Sequence, residues 1–252
     1  MKKLLALVFC FVLVFALSGC ASYRTYEQIA ADGKLVVATN ATFPPYEFID
    51  DDGNYAGIDI EIIEAVGEYL GLEVEIQNIE FDAILTAVPS GKADVGIAGM
   101  TVDETRLKSV DFSDTYATGK QVIITSADSG IAGVDDLAGK KVGVQTGTTG
   151  DIYASDDEAI GSVEQYNSGI EAVLALSQGK IDAVIIDNEP AKAYIASYDS
   201  LIIIDEEYTY EEYAICIAKG NDTLTAKINE ALAALKADGT LQAIIDKYIS
   251  AD

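Results

Sequence analysis

From Lys34 onward the chain alternates short apolar runs with longer segments whose apolar positions recur at helical spacing. LVVAT (35–39), VEIQ (74–77) and ADVGIAG (93–99) read as strands. Between the first two, residues 59–71 place Ile60, Ile63, Val66 and Leu70 near a helical period, and Gly71 supplies a stop. FDAILTAVPSG (81–91) reads as a short helix and 102–110 as a helical turn with its charges outward. A second series begins at KQVIIT (120–125). It continues with a helical turn at 135–140, a strand in KVGVQT (141–146), a helix, and a strand in SVEQY (162–166). A helix in 169–179, a strand in 182–187 and a helix in 189–198 complete that series. LIIID (201–205) and YAICIA (213–218) are later strands. The tail forms two helices split at Gly239, with Leu224, Ile228, Leu232 and Leu235 on one face. This alternation predicts an α/β fold with parallel sheets covered by helices on both faces. GKADV (91–95) and GKIDAV (179–184) each read as helix stop, charged turn and buried strand, an echo that two similar lobes would produce.

The first 19 residues stand outside this pattern. Lys2 and Lys3 precede an apolar stretch over 4–17 and then small residues, which reads as a secretory signal and is short for a permanent membrane span. Leu17-Ser18-Gly19-Cys20 resembles the bacterial lipobox, in which the Cys becomes the lipidated first residue of the mature chain. Cys20 is therefore the expected lipidation site and the anchor to a membrane. Cys10 leaves with the signal, and Cys216 remains as core filler, so no disulfide framework is expected.

Charge narrows the function. Forty-two acidic residues against 16 basic ones give a net charge of −26, which repels phosphate backbones and argues against nucleic acid as a partner. The chain has no histidine, which excludes His-based triads and His metal ligands. With no Cys cluster either, neither a metal nor a cofactor is expected.

In open α/β sheets ligands bind beyond the carboxyl ends of the strands. The residues there are Asn40, Phe43, Tyr46 and Glu47 after the first strand, then Phe81, then Met100, Thr101 and Arg106. The loop 146–150 and Asp187 follow in the second half. Arg106 can grip a carboxylate in bidentate fashion, Asp187 can take an ammonium, and loop amides at a helix start add to an anion site. Phe43, Tyr46 and Phe81 can sandwich a side chain. Together these suit a free α-amino acid. The loop VGVQTGTTG lacks the Lys and the glycine spacing of a nucleotide loop.

ATNATFPPYEF (38–48), NYAGIDIEI (54–62), FDAILTAV (81–88), IAGMTVDETRLKSVDFSDTY (97–116), VGVQTGTTG (142–150), DAVIIDNEP (182–190) and LKADGTLQAIIDKY (235–248) resemble the polar-amino-acid solute-binding proteins of bacterial ABC importers. The resemblance implies the type II periplasmic-binding-protein-like fold, with two lobes joined by two crossing strands and the ligand in the cleft between them. It implies a signal over 1–19, a linker over 20–33, lobe one over 34–116 plus 216–252, and lobe two over 120–211. The crossings fall near 116–121 and 212–215. Arg106 would hold the α-carboxylate with help from Thr101 and the loop at Thr148. Asp187, with a carbonyl near Gly99, would hold the α-ammonium. Phe43 and Phe81 would flank the side chain, while Asn40 and Gln145 sit where the family varies to choose it. Many members carry Asp where Asn40 stands, which weakens a purely cationic reading unless Glu47 or another acid substitutes.

The implied protein is an extracytoplasmic, lipid-anchored monomer. It captures a polar or cationic L-amino acid (glutamine, arginine, lysine or similar) by lobe closure and delivers it to a membrane permease. The rival is an exported dehydratase-like enzyme on the same fold, with Glu47 as proton donor. An exposed, salt-bridged Glu47 would count against that rival.

Overall fold

The computed structural model describes residues 23–204, 206 and 208–249. The signal and Cys20 lie outside the described residues. The first part of the chain contains α1 (Tyr26–Asp32), β1 (Lys34–Thr39), β2 (Thr42–Phe43), β3 (Glu47–Ile49), β4 (Tyr55–Ala56), α2 (Ile58–Leu70), β5 (Glu73–Asn78), α3 (Phe81–Ala87), β6 (Val95–Gly96) and β7 (Val110–Phe112). β8 (Ala117–Ser126) leads into β9 (Lys141–Gln145), α4 (Thr149–Asp156), β10 (Ser162–Tyr166), α5 (Gly169–Ser177), β11 (Ala183–Asp187), α6 (Asn188–Ile195) and β12 (Leu201–Ile203). β13 (Thr209–Tyr213) returns to β14 (Cys216–Ala218), α7 (Asp222–Ala237) and α8 (Thr240–Tyr248).

Among the described residues, each lobe holds one main sheet. The first is five-stranded in the order β5-β1-β6-β14-β7; the second is six-stranded, β10-β9-β11-β8-β12, with β13 beside β8. β2, β3 and β4 make a small third sheet that the apolar pattern did not announce. The expectation of parallel sheets holds for β5-β1-β6 and β10-β9-β11 only. β14 runs against β6 and β7, and β8 runs against β11, β12 and β13. These are the strands that arrive across the seam, so each enters its sheet from the opposite end to a βαβ unit. β8 and β13 pair from Ala117↔Tyr213 to Gln121↔Thr209, laying the two crossings side by side.

Both sheets are covered on both faces. In β11, Val184 and Ile186 face one apolar cluster while Ala183 and Ile185 face another, the two-residue alternation of a fully buried strand. In lobe one, Leu35 and Val37 pack under α2 and α7 with Ile62, Val66, Leu224 and Ile228, and Ala38 faces the opposite cluster with Ile84 and Met100. β6 is shorter than the run 93–99 suggested, and beyond it Gly99 takes a left-handed turn at φ 52°.

The expected linker over 20–33 is in part structure. α1 buries Ile29 fully in the core of lobe one, and Gly33 closes the helix in the left-handed conformation. Arg24 fixes this segment. Its Nε donates to Asp94 Oδ1 at 2.9 Å, Nη2 donates to Asp94 Oδ2, and Nη1 reaches Asp32 at 2.8 Å. Asp94, buried at the start of β6, also accepts from Val36 N at 2.8 Å. Removing the cation leaves a buried carboxylate short of partners, so Arg24→Ala is expected to lower unfolding free energy by about 2 kcal/mol. Urea denaturation checks this, and a second change, Asp94→Asn, is expected to recover part of the loss.

Candidate functional site

The carboxyl ends of β1, β6 and β9 meet at the seam around a cavity of about 20 Å³, room for about one water with the lobes together. Asn40, Phe43, Glu47, Phe81, Ala98, Gly99, Thr101 and Arg106 line it from lobe one, and Gln145, Thr148 and Thr149 from lobe two. Gln121 and Tyr213 line it from the crossing strands. Eight of the ten expected ligand residues therefore surround one space. Tyr46 and Asp187 do not touch it. Tyr46 lies behind Phe43, with ring centroids 5.8 Å apart, and meets the edge of Tyr213 at 5.2 Å. Asp187 lies behind Tyr213, whose hydroxyl donates to it.

Arg106 opens a short 3-10 turn and is buried, 4 % exposed. Nε faces Asp103 at 3.1 Å, Nη1 donates to Thr101 O at 2.7 Å, and Nη2 crosses the seam to Gly147 O at 3.0 Å. A guanidinium has five N–H groups, so one remains on each terminal nitrogen, a fork matched to a carboxylate. The Phe81 ring lies 5.5 Å under the guanidinium carbon. Two backbone donors border the same space. The bridge between Thr101 and Tyr213 is closed by Val102 N and Ala214 N, which leaves the Thr101 N–H outside it. Thr149 is the first residue of α4, where N–H groups have no partner inside the helix.

The hydroxyls of the glycine loop divide the work differently from expectation. Thr148 is the N-cap of α4: its Oγ1 donates to Gln145 O at 2.8 Å and accepts from Asp151 N at 3.2 Å. Its hydroxyl is thus spent on the helix. The neighbouring Thr149 hydroxyl points to the seam and donates to Glu211 at 3.0 Å. Gly147 N is occupied by Asp151 Oδ2 at 2.9 Å, so the loop is less open to anions than its glycines suggested.

Asn40 and Gln145 tie the lobes together. Gln145 Nε2 donates to Asn40 Oδ1 at 2.9 Å and to Asn167 O at 3.2 Å, and Asn40 Nδ2 donates to Ile79 O at 2.8 Å. Both Gln145 N–H groups are used, which leaves its carbonyl oxygen as an acceptor for a ligand.

Around this site the buried carboxylates outnumber the cations. Glu47, Asp59 and Asp187 are fully buried and Glu211 is 1 % exposed, while Arg106 is the buried cation among the described residues. Asp59 Oδ2 accepts from Gly99 N at 2.7 Å and from the Tyr116 hydroxyl at 2.8 Å. Gly99 has no room for a side chain, since a Cβ would sit 2.9 Å from the Phe43 ring. Burial still pushes Asp59 up to about 7, and Asp187 likewise up to about 7. Neither Glu47 oxygen accepts a hydrogen bond; burial, then the charge of Asp59 and a hydrogen bond shared with it, drive Glu47 well above the carboxylate range. Glu47 is therefore neither exposed nor salt-bridged. The sequence offered Glu47 as a proton donor or as a substitute for the missing Asp at 40, took in Thr149 only as part of the loop 146–150, and missed Glu211, Asp59, Gln121 and Tyr213. A β-strand position in the crossing and a helix first turn carry no signal of a cleft.

These raised values fix a sign for pH dependence. A carboxyl that holds its proton to about pH 7 when folded but to about pH 4 when unfolded binds more protons in the native state between those limits. Stability of the ligand-free protein is thus expected to fall as pH rises from about 4 through 7. Asp187→Asn is expected to flatten that slope in thermal unfolding across the window.

Three comparisons bear on the site. The sequence profile of the bacterial extracellular solute-binding proteins, family 3, matches residues 35–251. The arginine-binding extracellular protein ArtP of Bacillus subtilis (strain 168) is 33% identical, with 100% of each chain covered. A mutant of ArgBP from T. maritima superposes with a TM-score of 0.85 at 37% identity, covering 89% of this chain and 99% of that one. An ancestral arginine-binding protein bound to glutamine superposes at 0.83 and 41% identity, covering 87% and 99%.

Proposed function

The chain belongs to the bacterial extracellular solute-binding proteins of family 3, and on that premise we propose that it captures an L-amino acid with a cationic side chain, of which arginine fits best. The observation that carries this reading is Glu47, a buried carboxyl on the cavity wall that no cation pairs and whose oxygens accept no hydrogen bond. A guanidinium or ammonium arriving there displaces its proton and supplies the missing charge. Gln145 Oε1 adds an acceptor, and Phe43 and Phe81 offer faces to a flat cation. Neutral Asn40 is thereby compensated by Glu47. A glutamine-like amide is the polar alternative that Asn40 and Gln145 would suit.

At the other end of the ligand, the free N–H pair of Arg106 and the N–H groups of Thr101 and Thr149 receive the α-carboxylate. The Gly99 carbonyl receives the α-ammonium, and Asp187 adds its charge from behind Tyr213. Capture proceeds by closure of lobe two (120–211) on lobe one (34–116 plus 216–252, joined by 24–33), with β8 and β13 as the hinge. The closed, loaded monomer presents its ligand to the permease of an ABC importer. Cys20 carries the lipid that keeps it at the extracytoplasmic face of the membrane. No catalytic step, metal or cofactor enters this account.

The second reading is the exported dehydratase-like enzyme, supported by the proton that Glu47 holds beside the cavity. Turnover of a prephenate-like acid would establish it.

A thermal-shift screen of the common amino acids tests the proposal, because a ligand that binds only the folded state raises its melting temperature. Arginine and lysine are expected to give the largest shifts, and no shift from any amino acid would overturn the reading. Arg106→Ala is expected to weaken binding at least about a hundredfold, the scale of losing one partner of a buried charge pair.

A further inference from the structure

Glu211 lies on β13, one of the two crossing strands, and its side chain is buried at the seam. One oxygen, Oε2, accepts from two hydroxyls. Thr101 donates from lobe one, and Thr149 donates at 3.0 Å from the first turn of α4 in lobe two. The other oxygen, Oε1, is buried without a hydrogen-bond partner. Arg106 acts on the same carboxylate electrostatically, with Asp103 opposing it.

We propose that Glu211 is the latch of lobe closure: a hinge carboxylate gripped by one hydroxyl from each lobe, and so a positioning residue for ligand capture. The proposal rests on the reading that an amino acid is captured between closing lobes. Thr101 and Thr149 belong to different lobes, so both reach one oxygen only when the seam is shut. Opening breaks at least one of two hydrogen bonds to an ionisable carboxylate, which are stronger than neutral ones. The latch therefore biases the pair of lobes toward closure.

The same contacts orient the site. A threonine hydroxyl has one hydrogen. With both hydrogens directed at Glu211, Thr101 and Thr149 turn only lone pairs elsewhere. The ligand carboxylate then relies on the N–H groups of Arg106, Thr101 and Thr149 rather than on the hydroxyls. Glu211 thus decides which donors the ligand meets.

The test uses the full chain and two readouts. Fluorophores on unnatural amino acids at the exposed positions Glu68 and Glu171 report the distance between lobes, and calorimetry reports arginine affinity. Glu211→Ala and Thr149→Val are each expected to shift the lobes toward the open distance. Each is expected to weaken binding by about tenfold, the scale of one hydrogen bond to a charged group. The double variant is expected to lose little more than Glu211→Ala alone, because both changes break one latch. An unchanged distance with affinity within about twofold, additive losses, or tighter binding by Glu211→Ala would each overturn the latch. If Glu211→Ala fails to fold, Thr149→Val, which leaves β13 intact, decides alone. If the parent protein binds no amino acid, the capture reading fails, while the distance readout still tests the latch.

Discussion

The cleft is built around an imbalance of buried charge. Arg106 faces Glu211 and Asp103, and Glu47, Asp59 and Asp187 lie in the same region with no cation of their own. A carboxylate removed from water must be paired, hydrogen-bonded or protonated. Each acid here uses a different remedy. Glu211 takes two hydroxyls, Asp59 takes a backbone N–H and a tyrosine, and Asp187 takes Tyr213 and the N–H of Glu189 at 3.1 Å. Glu47 keeps its proton and shares it with Asp59. A ligand with a cation at the Glu47 end relieves the imbalance where the protein has left it.

The crossing strands make this arrangement possible. β8 and β13 bring Gln121, Tyr213 and Glu211 to the seam, between an arginine on one lobe and a helix start on the other. Gly119 on β8 is part of the same construction. A Cβ there would collide with Asp187 Oδ2 and the Tyr213 hydroxyl, so any larger residue would separate the pair. Asp59 extends the network to the start of the crossing, because Tyr116, which it holds, immediately precedes β8. Site and hinge therefore share side chains, and a change at one is felt at the other.

Much of this was legible in the sequence, for definite reasons. Asn40, Thr101 and Arg106 follow, and Gln145 ends, apolar runs that are strands, and the ends of strands in an α/β sheet face the ligand. The helices were legible from spacing: Leu224, Ile228, Leu232 and Leu235 are all buried. What stayed hidden lies where pattern carries no tertiary information. β8 begins at Ala117 in ATGKQ, whose polarity suits a seam rather than a core. Glu211 sits in TYEEY, where its burial and that of Tyr213 alternate with exposed neighbours and look like any edge strand. Asp59 resembles an ordinary first-turn helix acid, and only the packing of Gly99 and Tyr116 shows its purpose. Thr148 and Thr149 are adjacent and alike, and the cap geometry alone separates them.

Arginine and citrulline have nearly the same shape and differ in the charge at the tip. Calorimetric titration of both into the wild-type protein and into Glu47→Gln tests the central claim that uncompensated buried acid selects a cation. The account predicts that wild type prefers arginine by tenfold or more, on the order of one buried charge interaction, and that Glu47→Gln narrows the gap. Equal affinities in the wild type, or a gap unchanged by Glu47→Gln, would contradict it.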